Sequence, residues 1–527
     1  MSSVIHVANE LPALLTFARQ AIVEQRYLHA AEACEAALRL DANSADAHHY
    51  LSHAYKGLGR ADWAHSMMMR ALMLDPTDAQ LNYNAAVDAY EAGDQHRAMI
   101  YYQRALRHAP DMPDALWNYG ECLRMDEHFD QALTCFERLV TLGQTHYHGL
   151  WHRMAVCYAA LERHDEAQKS WRRAISGEHD ILSHWEYSFY LLSLEDYANG
   201  TRYYNDRFLC DGRNSVYQHE FPYPQWDGVF KSGMTVLIHG EQGLGDEIMF
   251  ASMFNELLDA AEHAQAQVII GCKPPLVRLF TESFPRAVIR AHKVGVAPID
   301  TYDLSIDAQM AMGHLMSLYR RTEADFAAHR HAYLHPNAER TAYYAQQIRH
   351  LGRESQDGKR RFRVGLMWGS NPALISNRFS RWAGQKSIDL SLFADFADLT
   401  DEVEFISLQN AERGAEAALS PPLQLIDFSL DQADFYDTAA LIANLDLVIS
   451  VDTSVCHLSG GMTCETWVPL MSHPDWRHGR TRNESLWYAG TQYFRQTQKN
   501  NWSEVIEHIH KALLSRVNQW SSAHESR

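Results

Sequence analysis

Five alanines, Ala30, Ala64, Ala98, Ala132 and Ala167, recur every 34 residues with one interval of 35, and this repeat limits the fold more than any other feature of the chain. Four residues after each comes a bulky side chain (Cys34, Met68, Tyr102, Phe136, Trp171), and three further on comes Ala37, Ala71, Ala105, Leu139 or Ala174. Offsets of four and three put these positions on one helix face. Twelve residues before each alanine the residue is small (Ala18, Ser52, Ala86, Gly120, Ala155), as a first helix requires where a second must approach it closely. Helix pairs are therefore expected over about residues 10 to 178, with more helix to about 205. Pro76 and Pro110 end two of the second helices, and the one extra residue falls in the TLGQTHYHG loop.

The period and its small and bulky positions resemble tetratricopeptide repeats. That resemblance implies a superhelix whose concave face binds a peptide or protein; a spacer or dimerisation surface is the plainer alternative.

A chain of 527 residues has room for about three domain-sized units. Its 47 basic and 66 acidic residues leave a net charge of −19, which argues against nucleic acid as a partner. Eight cysteines with no CxxC pair suggest neither a disulfide framework nor a zinc ribbon and fit a reducing compartment. No basic region precedes the first apolar residues, and no apolar run reaches the roughly 18 residues of a membrane span, so a cytoplasmic, soluble protein is expected. His146, His148 and His152 lie in or beside the repeat loop without an acidic or cysteine partner at ligand spacing, and no metal is expected.

From residue 233 short apolar runs alternate with helix-like stretches. Met234 to His239 is expected as a buried strand, Gly240 to Gly245 as a glycine-rich turn, and Asp246 as the cap of a following helix. Further strand-helix units are expected at QVIIGCKPPLVRLF and near YDLSID, and the charged stretch 351–362 reads as a hinge. The pattern then restarts with strands at Val364 to Met367, Val403 to Leu408 and Leu447 to Val451. In doubly wound folds ligands lie beyond the carboxyl ends of the strands. There this chain carries Trp368, Gly369, Ser370 and Asn371, then Gln409, then Asp452, Thr453 and Ser454, with Arg378, Arg381 and Lys386 adding positive charge. Glycines and short hydroxyls of this kind suit a phosphate. Trp476 and Trp487 are expected to pack in the core rather than stack on a ligand.

VDTSVCHLSGGM at 451–462, the strand ending in Gln409 and the G-x-x-G-x-G-D turn at 240–246 resemble heptosyltransferase-like glycosyltransferases of GT-B fold. With PQWDG at 224–228, the whole chain looks like the bacterial tetratricopeptide-fused members of that group, some of which glycosylate flagellin or other proteins. The resemblance implies a repeat domain at 1–205, an acceptor-side lobe at 206–350 and a nucleotide-sugar lobe with a C-terminal helix at 351–527. It implies Asp246 as catalytic base and Glu241, Gln242, Gly243 and Gly245 as the acceptor-side loop. Gly369, Asn371, Lys386, Ser387, Gln409, Asp452, Thr453, Ser454 and His457 would bind the donor, without metal or other cofactor. The implied function is inverting transfer of a sugar from a nucleotide-sugar to a hydroxyl of a protein recruited by the repeats. A transferase acting on a lipid-linked glycan, and a repeat scaffold whose glycosyltransferase-like half is inactive, are the alternatives. Each residue also has a plain structural role to weigh: Asp246 as a helix cap, Asp452 as a polar strand end, His457 as a helix residue satisfied by a neighbour, and Lys386 as a surface lysine.

Overall fold

The computed structural model describes residues 2–176, 181–210, 220–292, 305–352, 360–370, 385–409, 416 and 423–525. The chain divides into two compact units, Met1–Ser183 and His184–Arg527.

In the first unit the helices pair as Ser2–Val23 with Tyr27–Leu40, Ala45–Gly57 with Ala61–Leu74, Ala79–Glu91 with Gln95–His108, Pro113–Met125 with Phe129–Thr141, and Leu150–Ala160 with His164–Ile175. All five repeat alanines are buried, and so are the small residues opposite them. At Gly120 a methyl group would stand 2.6 Å from the Phe136 ring, which shows why the position admits so little. The turn inside each pair is also periodic. Gln25, Gly59, Gly93, Glu127 and Glu162 all take left-handed backbone with φ between 57° and 83°. Pro76 and Pro110 follow the ends of their helices at Leu74 and His108, as expected.

The helices Ile181–Ser193 and Tyr197–Tyr204 extend the same pattern. Their turn residue Glu195 has φ 64°, Ser188 and Gly200 fill the small positions, and buried Tyr204 fills the bulky one. Where more helix was expected there is a further helix pair, and from His184 onward it belongs to the second unit.

The rest of the second unit is built on two parallel sheets. In the first, β1 (Thr235–His239), β2 (Gln267–Cys272), β3 (Val288–Ala291) and β4 (Ala308–Ala311) lie in the order β3-β2-β1-β4. The second holds β5 (Phe362–Met367), β6 (Val403–Ser407), β7 (Ile426–Asp427), β8 (Leu447–Ser450), β9 (Thr466–Leu470) and β10 (Thr491–Arg495), in the order β10-β9-β8-β5-β6-β7. Winding outward in both directions from its first strand, this sheet has the classic doubly wound order, which opens a crevice between the ends of β5 and β8. In the first sheet the equivalent break lies between β1 and β4. The strands are nearly continuous apolar runs because helices cover both faces of such sheets; β8 is buried at every position.

Three details differ from the sequence reading. The strand near YDLSID begins after it, at Ala308. The glycine turn passes into a helix at Leu244 rather than at Asp246. Of the expected hinge at 351–362, Leu351 still ends a helix and Phe362 already begins β5, while 353–359 lie outside the described residues.

Candidate functional site

Between the ends of β5 and β8, the chain after β8 turns through Val451 and Asp452 into the buried helix Ser454–Gly461. Thr453 caps that helix, its hydroxyl accepting the Val455 N–H, and also meets the Ser450 hydroxyl at 3.2 Å. Thr453 therefore shapes the turn that presents Asp452. Lys386 Nζ lies 2.8 Å from one Asp452 carboxylate oxygen, and His478 Nε2 lies 3.0 Å from the other. Burial pushes the Asp452 carboxyl up, but the Lys386 ammonium and His478 outweigh it and hold Asp452 well below the usual carboxylate range. Lys386 is thus no free surface lysine; it is the cation of a largely buried pair.

His457, one turn into the same helix, is also buried. Its Nδ1 meets the Tyr488 hydroxyl at 2.9 Å, and its ring stacks with His478 at 6.3 Å between centroids. Burial lowers its pKa to about 3, so the imidazole is neutral at physiological pH.

After β5, the Gly369 peptide is gripped by Gln409, whose side-chain amide donates to the Gly369 carbonyl at 3.1 Å and accepts its N–H at 3.2 Å. Gln409 is accordingly committed to the strand end rather than directed at a ligand. Ser387 accepts the Ser370 N–H at 3.1 Å, pinning the next residue. Asn371, Arg378 and Arg381 lie outside the described residues.

From the other sheet, Gly240 to Gly243 lead into the helix Leu244–Phe250. Asp246 occupies its third position, where one carboxylate oxygen accepts the Gly243 N–H at 2.7 Å. This is the backward half of a capping box; Gly243 has no side chain to supply the other half. The helix approaches Ser454–Gly461 so closely that a methyl group on Gly245 would stand 3.0 Å from the His457 ring. Asp246 is thereby brought beside the Asp452 and His457 cluster, where its other oxygen forms an ion pair with Arg477. A helix N-terminus lowers a carboxyl pKa, but burial dominates at Asp246 and raises it despite Arg477 and the Gly243 N–H.

Glu241 and Gln242 are bonded to residues at the end of the last helix pair. Arg207 forks onto Glu241 with contacts of 2.5 and 2.6 Å, both side chains fully buried, and the Gly313 N–H donates to Glu241 at 2.7 Å. Gln242 donates to the Tyr204 hydroxyl at 2.5 Å, and Lys273 Nζ donates to the Gln242 carbonyl. These two residues therefore shape the loop rather than offer free groups to an acceptor.

Arg477, His478, Tyr488, Lys273 and Arg207 were missed in the sequence. Arg477 and His478 lie in PDWRHGR, at the carboxyl side of β9, and a basic run in that position was the available signal. Trp476 and Trp487 pack in the core as expected. In the first unit, His152 is turned to Ser183 at 2.8 Å and to the Trp171 ring.

Among the described residues one trio, Asp452, Cys456 and His457, has potential ligand atoms within 4.8 Å of one another. Asp452 is already neutralised by Lys386, and Cys456 donates its thiol proton to the Thr453 carbonyl at 3.0 Å, so these groups are occupied by protein contacts. A cavity of about 500 Å³ lined by Gln225, Trp226, Lys231, Met234 and Asp307 lies at the amino ends of β1 and β4, the end opposite the cluster. Among the described residues no helix is long and apolar enough to cross a membrane.

A tetratricopeptide-repeat family profile matches residues 114–142. Protein FlbA of Caulobacter vibrioides is 25% identical over 479 residues, covering 88% of this chain and 72% of FlbA, so the likeness runs through both units. Solved structures similar to part of the chain include MamA (17% identity, TM-score 0.29, covering 34% of this chain and 96% of MamA). PilF of Pseudomonas aeruginosa is another, at 18% identity and TM-score 0.33, covering 39% of this chain and 93% of that one.

Proposed function

We propose that the chain is a glycosyltransferase of two-lobed GT-B type that moves a sugar from a nucleotide-sugar donor to a hydroxyl of a protein held by the repeats. The observation that carries this reading is the meeting of two carboxylates of opposite character at adjoining strand ends: Asp246 with a raised pKa, and Asp452 held charged between Lys386 and His478. In the reaction a bond forms between the acceptor oxygen and the anomeric carbon, while the bond from that carbon to the donor phosphate breaks. The acceptor proton passes to Asp246, and the nucleoside phosphate or diphosphate leaves with the bonding pair. Inversion follows from this single displacement. Lys386, Ser387 and the Gly369 and Thr453 turns would hold the phosphates, and Asp452 and neutral His457 would order the pocket. The tetratricopeptide superhelix supports a peptide or protein partner, in line with an acceptor that is itself a protein.

A second reading, a scaffold with an inactive transferase-like body, is favoured by one observation: both carboxylates are ion-paired in the structure. Donor hydrolysis by the purified protein separates the two. Nucleotides and nucleotide-sugars are screened for thermal stabilisation, where a ligand at about a hundred times its Kd adds roughly 2.7 kcal/mol. Asp452→Ala and Lys386→Ala are expected to abolish the shift. Unchanged nucleotide affinity in both variants would show that the donor lies elsewhere.

A further inference from the structure

Arg477 is the side chain through which the two halves of the cluster meet. It stands in the short helical turn Trp476–His478, with its guanidinium 5.0 Å from the Trp476 ring, and binds two carboxylates at once. Asp246 belongs to the first sheet's glycine-turn helix, whereas Asp475 lies two residues back in the same loop, at 2.6 Å. The contact with Asp475 is local and also fixed by the backbone, because Asp475 accepts the Arg477 N–H at 3.2 Å. The contact with Asp246 joins residues 231 apart in sequence. One contact is therefore a pivot and the other can be exchanged. The Nε of Arg477 is buried without a hydrogen-bond partner, a donor held ready in a polar cluster.

Charge balance gives the exchange its direction. Asp246, Asp452 and Asp475 face the fixed cations Arg477 and Lys386, with His478 beside Asp452. A diphosphate entering this cluster adds negative charge where carboxylates already match or outnumber cations. Lys386 is tied to Asp452 by its carboxylate and faces the Asp452 carbonyl as well. Arg477, with a spare N–H and a planar fork suited to phosphate oxygens, is the cation positioned to be recruited.

We propose that Arg477 is a donor-operated latch: it holds Asp246 in an ion pair while the site is empty, and leaves it for the diphosphate when a nucleotide binds. The proposal rests on the donor-site reading above and adds an order to it, since Asp246 becomes available as a base only once the donor is in place. Burial already raises the Asp246 pKa, and departure of the guanidinium raises it further.

The test is calorimetric titration of the full-length protein with UDP, GDP and ADP, comparing wild type with Asp246→Asn, Arg477→Gln, Arg477→Lys and the Asp246→Asn/Arg477→Gln pair. If the carboxylate and the diphosphate compete for one guanidinium, Asp246→Asn binds the nucleotide about tenfold tighter and Arg477→Gln about tenfold weaker, with the pair behaving as Arg477→Gln alone. Arg477→Lys, which keeps the charge without the fork, falls between wild type and Arg477→Gln and serves if the glutamine variant does not fold. A merely structural ion pair predicts no gain from Asp246→Asn. Tighter binding absent in Asp246→Asn therefore overturns the latch even if Arg477→Gln weakens binding. A wild type that binds none of the three nucleoside diphosphates overturns the latch, and the donor-site reading falls with it if CMP, UMP and GMP also fail to bind.

Discussion

Asp246 and Asp452 are both largely buried carboxylates, one in the helix after β1 and the other just past β8, yet their surroundings drive them apart. Burial raises one despite its arginine, and Lys386 with His478 holds the other well below the usual range. Carboxyl pairs divided in this way are suited to separate roles, the raised one to taking a proton and the lowered one to remaining charged. If transfer proceeds as proposed, the acid limb of its pH profile lies above the ordinary aspartate value of about 3.9 and belongs to Asp246. Asp246→Asn should then remove about a hundredfold or more of the transfer rate. Histidine 457, already neutral from about pH 3 upward, should contribute no transition between pH 5 and 8. Full transfer activity in Asp246→Asn would reduce that carboxylate to a helix-capping group. A different carboxylate, Glu241, governs stability. Burial raises its pKa, but the Arg207 charge and hydrogen bonds prevail and lower it. A lowered folded pKa stabilises above the unfolded value of about 4.3 and is lost as pH falls through the folded one. Arg207→Ala, which strands a buried charge, should therefore cost about 3–5 kcal/mol at neutral pH, with the gap to wild type narrowing below about pH 4 in urea melts.

At the scale of elements, the repeat turns make a graded experiment. The same left-handed residue is glycine at Gly59 and Gly93 but glutamate or glutamine at Gln25, Glu127 and Glu162. A side chain in this conformation costs about 1 kcal/mol. Gly93→Ala should lose roughly that much stability, and Glu127→Gly should be neutral or slightly stabilising, by denaturant titration. Gly120→Ala should be worse than its helix propensity suggests, by about 1–3 kcal/mol, because the methyl meets the Phe136 ring. The helix pairs were legible because every repeat restates the same small, bulky and breaking positions. The second sheet was legible only where strands are long apolar runs, as in β5, β6 and β8. Strand β9 escaped notice because it carries Pro469, which usually argues against an interior strand. Its tolerance has a physical reason: pairing with β8 extends only to Trp467, and beyond that Pro469 has a partner only in β10. With β9 unseen, the basic run after it had no strand end to belong to. Arg477 and His478 therefore went unnamed, while Asp452, His457 and Lys386, which the structure brings together with them, were named.

At the scale of the whole molecule, the boundary between the repeats and the sheet-bearing body decides how their proposed roles can be separated. The repeat pattern runs to about residue 178 and the repeat domain was expected to end near residue 205, yet the compact units divide after Ser183, so most of the last helix pair belongs with the sheets. That pair carries Tyr204 and Arg207, which hold the loop at Gln242 and Glu241 just before Asp246. A chain beginning at His184 should keep donor hydrolysis and lose transfer to a protein acceptor. A chain beginning at residue 206 should lose both, because removing Tyr204 opens the core beneath the glycine turn and releases Gln242. Substitutions within the repeats give the same separation without truncation. Asn84 and Asn118 are poor sites, since each bonds to the neighbouring first helix, Asn84 to His49 at 2.6 Å and Asn118 to Tyr83 at 3.2 Å. Tyr90 and Glu91, at the end of the third repeat's first helix, make only exposed contacts, Glu91 with Lys56 at 2.7 Å and the Tyr90 hydroxyl with the Met125 sulfur at 3.9 Å, so changing them costs about 1 kcal/mol or less. Tyr90→Ala with Glu91→Lys should lower kcat/KM for the protein acceptor about tenfold, or ~1.4 kcal/mol, and leave donor hydrolysis within about twofold of wild type. Transfer that persists unchanged in these substitutions and in a folded chain beginning at His184 would make the repeats a spacer, and a non-protein acceptor the better hypothesis.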